Sequence, residues 1–241
     1  MKRIAIVQSC YVPWRGYFDL ARRVDEFVLY DDARYTRSDW RNRNRIKTAA
    51  GTKWLSIPVR VPAGGACVRD VETDGDQWRR RHWRTLEHAY GRAPWFEHYR
   101  PRLEPLYLGE RERRLSVVNR RFLETLAELL GIATPWRWSW ELELLAGRNE
   151  RLIGICRQLG ADEYLSGPAA RDYLDEAAFA RAGIRVVWMS YDGYRDYPQL
   201  HGDFEPAVSA LDLLFQLGPR APELLLPLDL ATPERTETAR A

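Results

Sequence analysis

Two short apolar runs open the chain, "KRIAIV" at 2–7 and "EFVLYDD" at 26–32, and each ends at a polar turn. Between them lies "RGYFDLARRVD", long enough for a short helix. This β-α-β opening constrains the fold most, because a crossover between parallel strands of one sheet is right-handed. A third run, "TKWLSIPVRV" at 52–61, alternates as a half-buried strand does.

Helices follow. "GDQWRRRHWRTLEHAYG" has Asp76 near its start and Gly91 past its end, with Trp83, Leu86 and Tyr90 on one face. In "ERERRLSVVNRRFLETLAELLG", Leu115, Val118, Phe122, Leu126 and Leu129 recur at helical spacing until Gly131. The stretch from Glu150 to Tyr191 then reads helix, strand, loop, helix, strand, and Ser209 to Leu217 reads as a short apolar helix. The predicted fold is α/β, with a mostly parallel central sheet that opens β-α-β and a helical insertion near 76–147. One domain is expected over 1–230, and "ATPERTETARA" at 231–241 reads as a disordered tail.

With 45% hydrophobic residues, 241 residues suffice for a sizeable core. Lys and Arg number 37 against 34 Asp and Glu, a balance that argues against a dedicated nucleic-acid binder. The densest basic stretch, Arg37 to Lys47, also holds Trp40, Asn42 and Asn44, a combination able to meet phosphates. Three cysteines without CxxC spacing and no apolar run near 18 residues predict a cytoplasmic protein with no membrane partner. Ten Trp and twelve Tyr serve core packing, and their polar edges also suit a ligand cleft.

In an open α/β sheet, ligands bind beyond the carboxyl ends of the strands. The polar residues there are Gln8, Ser9, Cys10 and Tyr11, then Asp31 and Asp32, then Ser166 before Gly167 and Pro168. Cys10 admits two readings, a nucleophile or a small buried apolar group. A nucleophile needs a base, drawn from His82, His88, His98 and His201; His82 is the first candidate and His201 the second. Asp31 and Asp32 suit a metal, an oriented base or an amine, or else cap a turn. No metal-ligand spacing is present, so no metal is expected. "SGPAARDY" presents backbone amides and Arg171 to an anion, but P-loop and GxGxxG patterns are absent and no cofactor is predicted.

Several stretches in order, "IAIVQSCYVPWRGYFDL", "DEFVLYDDARYTRSDWRNRNRIK", "RHWRTLEHAYGRAPWF", "ADEYLSGPAARDYLDE" and "YPQLHGDFEPAVSALDLLFQLGP", resemble the WbqC-like family of bacterial proteins. The resemblance implies a place among genes for O-antigen, polysaccharide or natural-product assembly. For part of the family it implies transfer of an acyl or aminoacyl group to an amine, forming an amide. One common family form has a His-Gln-Pro-Asn-Tyr type segment where this chain has Val7-Gln8-Ser9-Cys10-Tyr11, so a His of those relatives is absent and Cys replaces Asn.

The expected mechanism has Cys10 attack a thioester, His82 take the thiol proton and Gln8 or backbone amides hold the oxyanion. Asp32 receives the charge of the amine acceptor, and Arg43 with Arg171 grips a phosphate or carboxylate. Tyr11, Tyr17, Asp31, Tyr35, Trp40, Asn42, Asn44, Tyr90 and Ser166 complete the expected substrate contacts. The donor is carried by coenzyme A or an acyl-carrier protein. In a simpler variant His82 deprotonates the amine directly. A nucleotide-dependent ligase or nucleotidyltransferase and a non-catalytic binding module are the alternatives.

Overall fold

The computed structural model describes residues 1–109 and 111–225; the expected tail at 231–241 lies outside the described residues. Strand β1 (Arg3–Val7), helix α1 (Arg15–Ala21) and strand β2 (Glu26–Leu29) form the β-α-β opening, with Ile4 opposite Glu26 and Val7 opposite Leu29 in parallel register. An antiparallel hairpin of β3 (Arg43–Thr48) and β4 (Gly51–Ser56) follows, then a two-stranded pair of β5 (Val59–Arg60) and β6 (Glu72–Thr73). Three helices come next, α2 (Gln77–Tyr90), α3 (Phe96–Leu108) and α4 (Leu115–Leu129). The chain continues through β7 (Trp136–Trp138), α5 (Arg148–Gln158), β8 (Glu163–Ser166), α6 (Glu176–Arg181), β9 (Arg185–Trp188) and α7 (Ala210–Leu217).

Five parallel strands make the central sheet, in the order β7-β2-β1-β8-β9. Their nearly continuous apolar runs follow from burial on both faces. Successive side chains of a strand point to opposite faces, and the core divides accordingly. Ile4, Ile6, Val28 and Tyr164 pack with Leu152 and Ile155 of α5 and Phe179 of α6. Ala5, Phe27, Leu29 and Leu165 join the larger cluster, which includes Phe18 of α1, Phe122 of α4 and Leu214 of α7. The result is a parallel sheet between two helical layers.

Three elements differ from the sequence reading. "TKWLSIPVRV" is not one strand: it divides at Ile57 and Pro58 into β4 and β5, both outside the central sheet. Pro58 has no N–H to donate, which suits a break between ladders. Helix α3 was not anticipated, because Pro101 and Pro105 lie inside it. Phe96, Tyr99, Leu103 and Tyr107 form a buried stripe along it, and their burial outweighs the lost helical hydrogen bonds. The stretch 76–147 supplies helices and also β7, the three-residue edge strand beside β2.

Candidate active site

The strands step outward from β1 through β2 to β7, and the chain then returns to the other side of β1 for β8 and β9. Adjacent crossovers thus diverge between β1 and β8, the topological switch point at whose carboxyl ends ligands bind in sheets of this kind. Gln8, Ser9 and Cys10 leave the end of β1, while Ser166 and Gly167 leave the end of β8.

The segment after β1 is held from several directions. Asp31, at the end of β2, accepts hydrogen bonds from the Ser9 N–H at 2.8 Å and the Ser9 hydroxyl at 2.7 Å. Burial pushes the Asp31 carboxyl above its ordinary value, although both bonds favour the anion. Asn119 of α4 donates to Ser9 Oγ at 3.0 Å and to the Arg41 carbonyl at 2.8 Å, which ties a core helix to two loops. The Tyr11 N–H donates to the Trp40 carbonyl at 3.0 Å, and Asn44 Nδ2 donates to the Tyr11 carbonyl at 3.2 Å. Between these anchors Val12 has φ +36°, a strained conformation for a β-branched residue. Strain of about 1–3 kcal/mol persists only where the surroundings over-determine the backbone.

Cys10 is 6% exposed, and Arg41 Nη1 lies 2.9 Å from its sulfur. The sulfur is also 3.7 Å from the Gln8 carbonyl oxygen, which in turn accepts from the Tyr17 hydroxyl at 3.1 Å. Burial raises the Cys10 thiol pKa, and the Arg41 charge opposes it without prevailing. Arg41 keeps its charge despite burial, because Cys10 and Asp39, 3.6 Å away, favour the cation. The arrangement aims a charge-assisted donor at a sulfur, so any negative charge that develops there is stabilised.

The expected base is elsewhere. His82 Nδ1 meets the Tyr11 hydroxyl at 3.0 Å, and that hydroxyl lies 3.1 Å from Tyr107 Oη. Trp78 and Phe122 pack edge-on against the same Tyr11 ring. Burial lowers the His82 pKa to about 4 against the pull of a backbone contact with Ser56, so the ring is neutral at pH 7. Among the described residues no hydrogen bond joins His82 to Cys10, and the expected dyad is corrected to a buried Tyr11–His82 pair. Cys10 and Tyr11 are adjacent, yet their side chains diverge, which carries His82 away with Tyr11. His201 is also committed, with Nε2 2.9 Å from the Ala89 carbonyl.

Asp32 likewise departs from its expected role. Ser139 Oγ donates to one oxygen at 2.5 Å and Arg69 Nη1 approaches the other at 2.5 Å, so its charge is already matched. Tyr90 donates to Asp212 at 2.9 Å inside a buried network with Tyr197 and Gln199, and is a structural group. Asn42 donates to the Ile57 carbonyl at 2.8 Å, and Tyr35 is buried in the larger apolar cluster. Arg43 lies over Trp54 at 4.2 Å and Arg171 over Trp188 at 5.1 Å, so each guanidinium of the expected anion grip rests on its own aromatic ring. Trp40 faces outward.

Thus Gln8, Cys10, Tyr17 and Arg41 are gathered beyond the end of β1, Asp31 and Asn44 fix that segment, and Ser166 ends β8 with its hydroxyl 3.4 Å from that of Tyr164. Sequence reasoning missed Arg41, Asn119, Arg69 and Ser139. Arg41 lay within the dense basic stretch, but nothing local separated it from the neighbouring cations. Among the described residues no cluster of three or more His, Cys, Asp or Glu is placed to hold a metal ion, and no helix is long and apolar enough to cross a membrane.

A family model described as the WbqC-like protein family matches residues 8–224. The chain is 52% identical over 226 residues to the uncharacterized protein Rv1507c of Mycobacterium tuberculosis (strain ATCC 25618 / H37Rv), across 93% of this chain and 98% of that one. No solved structure matches. The family match includes the Gln8–Tyr11 segment, the Arg41 loop and the switch-point residues of β8, and the chain belongs to the WbqC-like protein family.

Proposed function

We propose that the chain transfers an acyl or aminoacyl group from a thioester to an amine through Cys10. The observation that carries this reading is the Cys10 sulfur at the switch point with the Arg41 guanidinium 2.9 Å away. The sulfur attacks the thioester carbonyl carbon, a new S–C bond forms, and the donor's C–S bond breaks as the thiol proton passes to the departing sulfur. The amine nitrogen then attacks the acyl-enzyme, the C–N bond forms, and the Cys10 C–S bond breaks with return of a proton to the sulfur. Arg41 stabilises charge on the sulfur in both steps. Gln8 Nε2, held only at 3.5 Å from the Arg34 carbonyl, supplies a donor for the oxyanion.

The test is amide formation from a panel of acyl and aminoacyl thioesters with amines, in wild type, Cys10→Ser and Arg41→Met. Product from wild type, with loss of turnover in Cys10→Ser and slowing in Arg41→Met, is the expected result. Undiminished product from Cys10→Ser removes the nucleophile and leaves direct aminolysis.

One observation favours a second reading. In chain order the five central strands are arranged 3-2-1-4-5, the order of a mononucleotide-binding half and the start of its partner. A nucleotide-dependent ligase or nucleotidyltransferase would use the same switch point. Pyrophosphate or nucleoside diphosphate release that depends on the amine and is untouched by Cys10→Ser would replace the first reading with this one.

A further inference from the structure

The loop that turns Arg41 inward to Cys10 turns its neighbour Trp40 outward. Trp40 and Trp54 are 43% and 41% exposed, with ring centroids 5.4 Å apart at 40°. Arg43 and Arg45 lie over Trp54 at 4.2 and 5.7 Å, on the same outer face of the β3–β4 hairpin. Residues 35–56 hold six Lys or Arg and one acid; Arg41 turns in to Cys10 and Lys47 is buried against Gln199 and Gly202, which leaves Arg37, Arg43, Arg45 and Lys53 for the outside. That acid, Asp39, is engaged by the Thr36 hydroxyl at 2.6 Å and by Arg41. The hairpin face is therefore aromatic and cationic without a free local counter-charge. Exposed Trp and Arg together are the composition of a binding hot spot, and the charge selects acidic partners.

We propose that this hairpin face docks an acidic carrier protein whose thioester arm reaches Cys10. The proposal rests on the acyl-transfer reading above. The Tyr11–Trp40 backbone bond links the patch directly to the segment that carries the thiol. A single-stranded nucleic acid needs open ring faces for stacking. Here Arg43 covers Trp54, and the two indoles lean on each other, which favours a protein surface.

The test compares wild type with Arg45→Glu and Trp54→Ala, both changes on the outer face, with folding checked by circular dichroism. One acyl group is supplied on a phosphopantetheinylated acidic acyl carrier protein, on coenzyme A and on N-acetylcysteamine, and acylation of Cys10 is followed by intact mass. Each substitution is expected to lower kcat/KM for the carrier-borne donor about tenfold, with the N-acetylcysteamine donor unchanged. Binding of labelled carrier to Cys10→Ser, with and without the hairpin substitutions, reads docking even if no donor acylates the protein. In that event the acyl-transfer reading fails separately. Equal effects on all donors, carrier binding indifferent to both substitutions, or a hairpin-dependent preference for coenzyme A would overturn the proposal.

Discussion

Burial and Arg41 pull the Cys10 thiol in opposite directions, and burial prevails. The resting sulfur is therefore a thiol at neutral pH, and its alkylation rate is expected to rise with pH beyond the ordinary thiol value of 9.0. Removing the guanidinium in Arg41→Met leaves the desolvation and deletes the compensating charge. Alkylation of Cys10 by iodoacetamide at pH 8 should then be slower than in wild type, because less thiolate is present; an unchanged rate would separate Arg41 from the sulfur's chemistry. His82 gives an independent reading of the buried interior. An unfolded chain protonates this ring near 6.5 and the folded protein only at about 4, so stability is intact above 6.5 and falls as the pH drops toward 4. Between pH 7 and pH 5 the loss is about 2 kcal/mol in urea unfolding, and His82→Gln should lack that part of the slope. An identical slope in the variant would mean that the ring is protonated in the folded protein.

Among the elements, helix α3 separates what periodicity reveals from what packing decides. Pro101 and Pro105 argue against a helix, yet Leu103 on its buried stripe is fully enclosed. Leu103→Ala is expected to cost about 2–5 kcal/mol by urea denaturation, while Glu104→Ala, at the partly exposed rim beside Arg100, should stay within about 0.5 kcal/mol. Equal effects would show that α3 is not part of the core. The strands β1, β2, β8 and β9 and helices α2, α4 and α7 were legible because two-sided burial and amphipathic spacing leave local signatures. The hairpin and β7 were not. The alternating cations of β3 read as a basic loop, and Trp136–Trp138 is too short for a strand pattern. Of the candidate site, the strand-end positions of Gln8, Cys10, Asp31 and Ser166 were legible in the sequence. Arg41 and Asn119 act across long sequence separations, and no local spacing announces them.

Across the whole molecule, the reversal of strand order between β1 and β8 decides which polar side chains gather at one end of the sheet. The sheet supplies rigid ends, Asp31 and Asn119 fix the loops that leave them, and those loops bring sulfur and guanidinium together. The same architecture explains why the Cys10–His82 pairing fails. His82 belongs to helix α2 and meets the hydroxyl of Tyr11, whose ring packs in the larger apolar cluster, rather than the sulfur of Cys10. The proposed role of Cys10 as carrier of the acyl group is read out by intact-protein mass spectrometry with peptide mapping. Incubation with an accepted thioester should add one acyl mass to Cys10 in wild type, add none in Cys10→Ser, and clear on addition of an amine as amide appears. Amide formation at the wild-type rate with Cys10 unmodified throughout would contradict that role and return the cysteine to the core.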